Sequence, residues 1–450
     1  MRRLRFDRGT LLLEGVERDL WPDGFQLDAR VGLPRAPANC YANTLRWLHR
    51  SGAAYVDEAR GWGEMNRPWV GADSLRDYQR EAVEAWQEGG RRGVVVLPTG
   101  SGKSLVAEAA IAQTRRPALL VAPTLELVAQ WYDRLGRAFG EPIGVLGGGS
   151  STIHDITVTT YDSAWIQAER LGNRFGLLVF DEVHHLAGPS YAVAAIASLA
   201  PFRLGLTATL ERPDGGHDRL VELVGPVVYR KEIPELAGDW LAEYQTECVR
   251  VALGPDERAA YTAARDEFRA FVDGRGLRGA PWARILRDGM GSAAGRSALR
   301  AWRVSRRILE TTPRKLAALD ELLRRNAGRR ILVFTNDNAS AFEVSRRFLV
   351  PALTHHTDAA ERRRWLAAFS EGTQRVLVTS RVLNEGVDVP EAEVAIVMSG
   401  SGTVREHVQR LGRILRRHGA KQAQLYELVV ADSAEESTSA RRREHDAYRR

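Results

Sequence analysis

From Leu75 onward, short apolar runs alternate with longer stretches in which apolar residues recur every three or four positions. That alternation predicts a parallel sheet covered by helices on both faces. The runs Gly93–Leu97, Ala118–Pro123, Ile156–Thr160, Leu177–Asp181 and Arg203–Thr207 are the expected strands, and Leu127–Phe139 is an expected helix. At about 238 the alternation stops, and until about 311 the chain reads as helical and arginine-dense. It resumes from Arg314, with strands expected at Ile331–Phe334, Val376–Thr379, Val394–Met398 and Gln424–Val429, and helices at Glu361–Phe369 and Val404–Arg416. Upstream, Leu4, Phe6, Leu11 and Leu13 alternate with polar residues, and Arg8-Gly9 and Asp23-Gly24 signal turns, so a small β-rich domain is expected. Within it, Thr44–Ser51 reads as a helix capped by Asn43, and Ala54–Val56 as a strand. The expected fold class is therefore α/β, with two tandem parallel-sheet domains (73–237 and 312–432), a helical insert (238–311), a small N-terminal domain (1–72) and a basic tail (433–450) for which disorder is expected.

The first predicted strand empties into Pro-Thr-Gly-Ser-Gly-Lys-Ser, and a helical pattern follows at once. Glycines at 100 and 102 let backbone N–H groups of Thr99, Gly100, Ser101 and Gly102 close on an anion, and the helix N-terminus adds partial positive charge. Lys103 is placed to reach the β- and γ-phosphates of a nucleoside triphosphate, and Ser104 to hold Mg²⁺. The chain has 64 basic residues, and all but Lys103, Lys231, Lys315 and Lys421 are Arg. A lysine here is thus a specific choice: a slender ammonium fits between phosphates where a planar guanidinium does not. Ahead of the loop, Arg76 belongs to a helix cap that leaves Gln79 able to offer an acceptor and donors to an adenine edge.

The strand Leu177–Asp181 delivers two adjacent carboxylates at its carboxyl end, where ligands sit in such sheets. Asp181 suits Mg²⁺, and Glu182 suits orientation and deprotonation of an attacking water. His184 and His185 follow directly; read as strand residues facing opposite ways they cannot share one ion, so a coupling role near the γ-phosphate is expected. His355-His356 is read as structural. Thr207 and Thr209 end another strand with two hydroxyls able to bridge the carboxylates to a neighbouring element. The second sheet has no glycine–lysine loop of its own, which makes it a partner that closes on the nucleotide held by the first. Gln409, Arg413 and Arg416 lie on its arginine helix, with the two arginines three apart on one face as γ-phosphate fingers. Gly386 and Asp388 form a tight loop suited to ribose contact or to relaying closure.

A net charge of +7 favours a polyanionic partner. The aromatics Trp21, Tyr41, Trp47, Trp62 and Trp69 interleave with arginines in a way that suits base stacking, although the core of a small domain is the commoner use. Two cysteines, Cys40 and Cys248, are too few for a disulfide framework or a Cys-rich metal site. With no run of membrane-spanning length, a cytoplasmic protein is expected, nucleoid-associated if prokaryotic.

Four segments in order, Leu-Pro-Thr-Gly-Ser-Gly-Lys-Ser, Asp-Glu-Val-His-His, Leu-Thr-Ala-Thr and Gln-Arg-Leu-Gly-Arg-Ile-Leu-Arg, resemble a superfamily 2 helicase. Leu97 stands where the general phosphate-loop pattern has its first Gly, a departure helicases share. The histidine doublet, Leu-Gly-Asn-Arg-Phe before the Asp181 strand, Ser399 to Gly402 and Thr438 to Arg443 narrow the resemblance to the xeroderma pigmentosum group B family, in its archaeal and bacterial forms. The resemblance covers essentially the whole chain. It implies two RecA-like domains, an ATP- and Mg²⁺-dependent DNA translocase moving 3′ to 5′, a damage-recognition-like N-terminal domain and a thumb-like insert gripping DNA. By family position it implies DNA contacts at Thr124, Thr160, Tyr161 and Thr379, and at Arg212 and Asp214, which match an Arg-Glu-Asp triplet whose middle position here is Pro213. Pro213 motivates an alternative, an ATP-gated duplex clamp with little strand separation; an RNA helicase ranks below both. A nuclease partner also follows from the resemblance, and a monomer or transient assembly is expected.

Overall fold

The computed structural model describes residues 1–140, 142–209, 217–236, 240, 243–380, 392–398 and 422–443. The chain divides into two compact units, Met1–Glu232 and Ile233–Arg450.

The first unit opens with five strands, β1 (Arg2–Asp7), β2 (Thr10–Glu14), β3 (Gln26–Asp28), β4 (Leu33–Pro37) and β5 (Tyr55–Asp57), in the order β3-β4-β2-β1-β5. The hairpin of β1 and β2 turns at Arg8-Gly9, both in left-handed conformation, as the sequence predicts. Helix α1 spans Tyr41–Arg50, so the expectation of a start at Thr44 with an Asn43 cap is corrected. A 3₁₀ turn over Ala38–Cys40 feeds the helix three residues earlier, and Asn43 lies inside it, accepting from Arg46 Nη2. Tyr41 and Trp62 are buried with Leu4, Leu11, Leu13 and Leu199, so these two aromatics are core and not a stacking surface. Leu199 comes from the next domain, and the backbone hydrogen bond from Gly61 N to Asn173 O also crosses that boundary.

The large sheet of this unit holds β6 (Arg92–Val96), β7 (Ala118–Ala122), β8 (Gly144–Gly147), β9 (Ser150–Thr152), β10 (Ile156–Thr160), β11 (Leu177–Asp181), β12 (Phe202–Thr207) and β13 (Val227–Arg230). Their order is β13-β6-β12-β11-β7-β10-β8-β9, and all pairings are parallel except β8 with β9. The five expected strands are present to within a residue at each end. Every residue of β7, β10 and β11 is buried, which is why β7 and β11 read as apolar runs, while in β10 Thr157 and Thr159 donate their hydroxyls to the carbonyls of His154 and Leu146. Helices α2 (Asp77–Glu88), α3 (Lys103–Thr114) and α4 (Leu125–Phe139) bring the candidate residues to the carboxyl edge. Arg203, fully buried at the start of β12, donates to the carbonyls of Ala195, Ser198, Ala200 and Leu223 and so anchors that strand from below.

The second unit contains β14 (Glu243–Val251), β15 (Ile331–Phe334), β16 (Ala352–Leu353), β17 (Val376–Thr379), β18 (Val394–Val397) and β19 (Gln422–Val430), ordered β14-β19-β18-β15-β17-β16 and parallel throughout. The reading of 238–311 as wholly helical is corrected by β14, which pairs with β19 over nine residues. Helices Pro255–Gly274, Trp282–Met290 and Ala293–Glu310 fill the remainder. Several of their arginines are spent within the unit: Arg258 donates to the carbonyls of Ala431 and Asp432, and Arg306 lies over the Trp302 ring. The tail is also corrected. Ala434–Arg443 is a helix, held by Glu435 against the fully buried Lys315 at 2.8 Å and by Ser439 against Glu427. Arg212, Pro213, Asp214, Gly386, Asp388, Gln409, Arg413 and Arg416 lie outside the described residues.

Candidate ATP site

A buried β-branched strand, β6, ends at Val96 and forces the chain into a turn before α3 can start. Gly100 and Gly102 take φ of +84° and +81°, values that cost an L-residue strain, so the two glycines are what allow the loop to close. Gly102 is also pressed on by a neighbour: a Cβ there would lie 2.5 Å from Gln79 Nε2. Lys103 is the first residue of α3, and its Nζ donates to Leu97 O at 3.1 Å, bridging the loop from end to start. The Thr99 hydroxyl is buried with no hydrogen-bond partner among the described residues, and Ser101 Oγ donates to Pro98 O. A buried orphan hydroxyl inside an amide-lined loop at a helix N-terminus fits an anion with oxygen acceptors.

Gln79 is fully buried. Its Nε2 donates to Ser101 O at 2.8 Å and Gly102 O at 3.3 Å, while Oε1 accepts from Arg76 N at 3.0 Å. The amide expected to face an adenine is therefore committed to the phosphate loop here. Oε1 has two lone pairs and Arg76 N–H uses one. Tyr78, which sequence reasoning left unassigned, also donates to Ser101 O.

Asp181 ends β11 and is buried. Its Oδ1 accepts from Glu182 N at 3.0 Å and its Oδ2 from the indole Nε1 of Trp131 at 2.9 Å. Burial pushes its pKa up, while Trp131, the Lys103 charge, the Glu182 amide and His185 pull the other way. Tyr161 donates its hydroxyl to Asp181 O at 2.9 Å, and burial, with Asp181 and Glu182 adding, drives that hydroxyl well above its ordinary range. The hydroxyl is enclosed and committed, so of the two groups that could serve the expected DNA contact of Tyr161, hydroxyl or backbone amide, the amide is the one left.

Immediately after β11, Glu182 takes a left-handed conformation at φ +47° and caps a 3₁₀ turn over Val183–Ala187. The histidine doublet therefore lies on a turn and not on a strand, and the expectation that the rings face opposite ways is corrected: their centroids are 4.4 Å apart. His184 Nδ1 sits 3.2 Å from Thr207 Oγ1 and 3.5 Å from Glu182 Oε2. Thr207 Oγ1 lies 2.8 Å from Thr209 O and 3.4 Å from Glu182 Oε2. One hydroxyl carries one proton, so the shorter contact takes it. Glu182, His184 and Thr207 thus meet, while Thr209 joins them through its backbone N and O and not through the hydroxyl the sequence suggested.

Thr124, two residues past the end of β7, and Thr160, the last residue of the adjacent β10, both cap the helix that follows, accepting from Leu127 N and Ser163 N. Thr379 ends β17, is fully buried and donates to Ser380 O. Ser104 opens α3 beside Lys103, half buried. Ser104 and Asp181 are the residues that fit a divalent cation; Mg²⁺ usually takes one or two protein oxygens and completes its shell with phosphate and water. Among the described residues no cluster of three or more His, Cys, Asp or Glu side chains could hold a metal by itself. Among them, too, no helix is long and apolar enough to cross a membrane.

Residues 4–59 match the xeroderma pigmentosum group B helicase damage recognition domain, 73–212 the type III restriction enzyme res subunit, and 314–418 the helicase conserved C-terminal domain. The chain is 44% identical over 373 residues to the DNA 3′-5′ translocase XPB2 of Sulfurisphaera tokodaii, covering 82% of this chain and 84% of that one. To the DNA 3′-5′ helicase XPB of Kineococcus radiotolerans it is 32% identical over 415 residues, covering 88% and 67%. The Hef helicase domain of Pyrococcus furiosus superposes with a TM-score of 0.59 at 20% identity, over 83% of this chain and 99% of that one, a likeness of fold. A phosphate loop and paired carboxylates on one parallel sheet, a second parallel sheet without such a loop, and this degree of identity lead to one conclusion: the chain belongs to the XPB family of superfamily 2 helicases.

Proposed function

We propose that this protein is an ATP-dependent DNA helicase and translocase that moves 3′ to 5′ and acts in DNA repair or transcription-linked remodelling. The observation that carries the reading is the placement of Lys103, Asp181 and Glu182 at the carboxyl ends of β6 and β11, the two strands that flank β12, in a chain 44% identical to an XPB translocase. The clamp alternative is not favoured. In the proposed site, the loop 99–102 and Lys103 bind the phosphates of ATP, and Arg76 and Gln79 are assigned to the base on sequence position, Gln79 having only the second lone pair of Oε1 left to offer. Ser104 and Asp181 would hold Mg²⁺, which when bound screens phosphate charge and favours attack at the γ-phosphoryl group. Glu182 orients the attacking water and accepts its proton, with His184 Nδ1 beside the carboxylate and Thr207 holding the His184 ring. Gln409, Arg413 and Arg416 are assigned to the γ-phosphate, and Gly386 and Asp388 to ribose, on sequence position alone.

Thr124, Thr160, Tyr161 and Thr379 remain the proposed DNA-backbone contacts, through backbone amides at strand ends now that their hydroxyls are seen to cap helices or lie buried. Arg212 and Asp214 are assigned to DNA opening. The segments 1–72, 73–237 and 312–432 are proposed as the DNA-recognition domain and the two helicase cores. Pairing of β14 with β19 supports placing the start of the second core at Glu243, so that the helices of 255–310 form an insertion within it. A monomer or transient assembly located on DNA, with a nuclease partner, completes the reading. The test is ATPase rate with single-stranded DNA, duplex and RNA, followed by strand displacement on 3′- and 5′-tailed duplexes. Stimulation by DNA and displacement on the 3′-tailed substrate are expected; preference for RNA or for the 5′ tail overturns the reading.

A further inference from the structure

The carboxylate assigned above to the divalent ion is gripped by a residue outside every motif. Trp131 lies on α4, 4% exposed, and gives its indole N–H to Asp181 Oδ2 at 2.9 Å. Three residues further along the same helix, Arg134 Nε pairs with Glu108 Oε1, and Glu108 is a buried carboxylate on α3, the helix that begins at Lys103. Trp69 holds the second Glu108 oxygen through its own indole N–H at 3.1 Å. Helix α4 is thus tied by polar contacts both to the strand end carrying Asp181 and to the helix behind the phosphate loop.

We propose that Trp131 is a positioning residue for Asp181, fixing the carboxylate in the orientation from which it would hold Mg²⁺. The inference rests on the assignment of Asp181 given above. An indole N–H suits the task because it only donates and carries no charge. It restrains one oxygen without neutralising the carboxylate, as an arginine would, and without competing as a ligand, as a histidine would. Partners in the outer shell of a metal site set ligand orientation and thereby affinity. The Arg134–Glu108 pair keeps the indole in register with the phosphate loop, so that the two halves of the site keep their spacing.

The experiment uses the full chain with Mn²⁺ as the probe and a non-hydrolysable ATP analogue, free Mn²⁺ being read by electron paramagnetic resonance. Trp131→Phe removes the N–H and part of the ring. Site-specific replacement of Trp131 by benzothienylalanine removes the N–H while keeping the bicyclic shape, which preserves the test if the phenylalanine variant folds poorly. Both replacements are expected to weaken Mn²⁺ binding about 10- to 100-fold, while analogue binding in EDTA stays unchanged. Native Mn²⁺ affinity in the benzothienylalanine variant, with Asp181→Asn losing it, overturns the inference and reduces Trp131 to packing. Native Mn²⁺ affinity in Asp181→Asn overturns the assignment of Asp181 itself, and the role of Trp131 with it.

Discussion

Gly102→Ala tests whether the phosphate loop depends on one missing methyl group. The residue sits at φ +81°, where an alanine costs about 1–2 kcal/mol. The new Cβ would lie 2.5 Å from Gln79 Nε2, and Gln79 cannot yield freely because it is fully buried and bonded to Ser101 O, Gly102 O and Arg76 N. Displacing its amide forfeits two donor bonds and strands a buried polar group, about 2–3 kcal/mol together. The sum, roughly 3–5 kcal/mol, corresponds to about a 100- to 3,000-fold loss of affinity if the loop must hold its present shape to bind. A fluorescent ATP analogue titrated against the full chain measures this directly. Because the clash is with Gln79, the double variant Gly102→Ala/Gln79→Ala should lose about 1–3 kcal/mol less than the two single losses added. Near-native affinity of Gly102→Ala, or strict additivity in the double variant, refutes the reasoning.

Lys103→Arg keeps the charge but brings a planar fork in place of a point ammonium, so ATPase activity should fall to background; robust turnover argues against a fitted cradle. Glu182→Gln should bind ATP normally in the same titration while hydrolysis drops about 100- to 10,000-fold, and unchanged turnover removes Glu182 from its role. Lys315→Met should strand the Glu435 carboxylate in a partly buried site at a cost of about 3–5 kcal/mol. Calorimetry of the full chain should show this as a melting transition lowered by about 6–20 °C, and the double variant Lys315→Met/Glu435→Leu should recover most of it.

Strands β7 and β11 were legible because burial on both faces writes Ala118–Ala122 and Leu177–Phe180 as apolar runs, whereas β6, β10 and β12, interrupted by Arg92, by Thr157 and Thr159, and by Arg203, were legible from their place in the strand–helix alternation. Edge strands are quieter. β13 begins at Val227, which is 44% exposed, and β14 intersperses Glu, Gln, Thr and Arg with its apolar positions, so neither carries a core signal. The left-handed turn at Glu182 was not legible either, because nothing in Asp-Glu-Val-His-His requires it. Lys103, Asp181 and Glu182 announce themselves by residue type, since their chemistry restricts what can stand there. Trp131 does not. A tryptophan seven residues after Thr124 falls on the apolar face of an amphipathic helix, and only its distance to Asp181 distinguishes it from core.

The pairing of β14 with β19 sets a schedule for synthesis. As the sole neighbour of β14 among the described strands, β19 emerges from the ribosome only after roughly 170 further residues. At ordinary elongation speeds that is a delay of about 10–30 seconds, in which a nine-residue strand waits with its backbone groups unmatched. A nascent chain in that condition is open to strand exchange with a neighbour on the same message. Slow codons between the two strands would lengthen that exposure, and chaperone demand during expression should track that interval more closely than the stability of the finished protein.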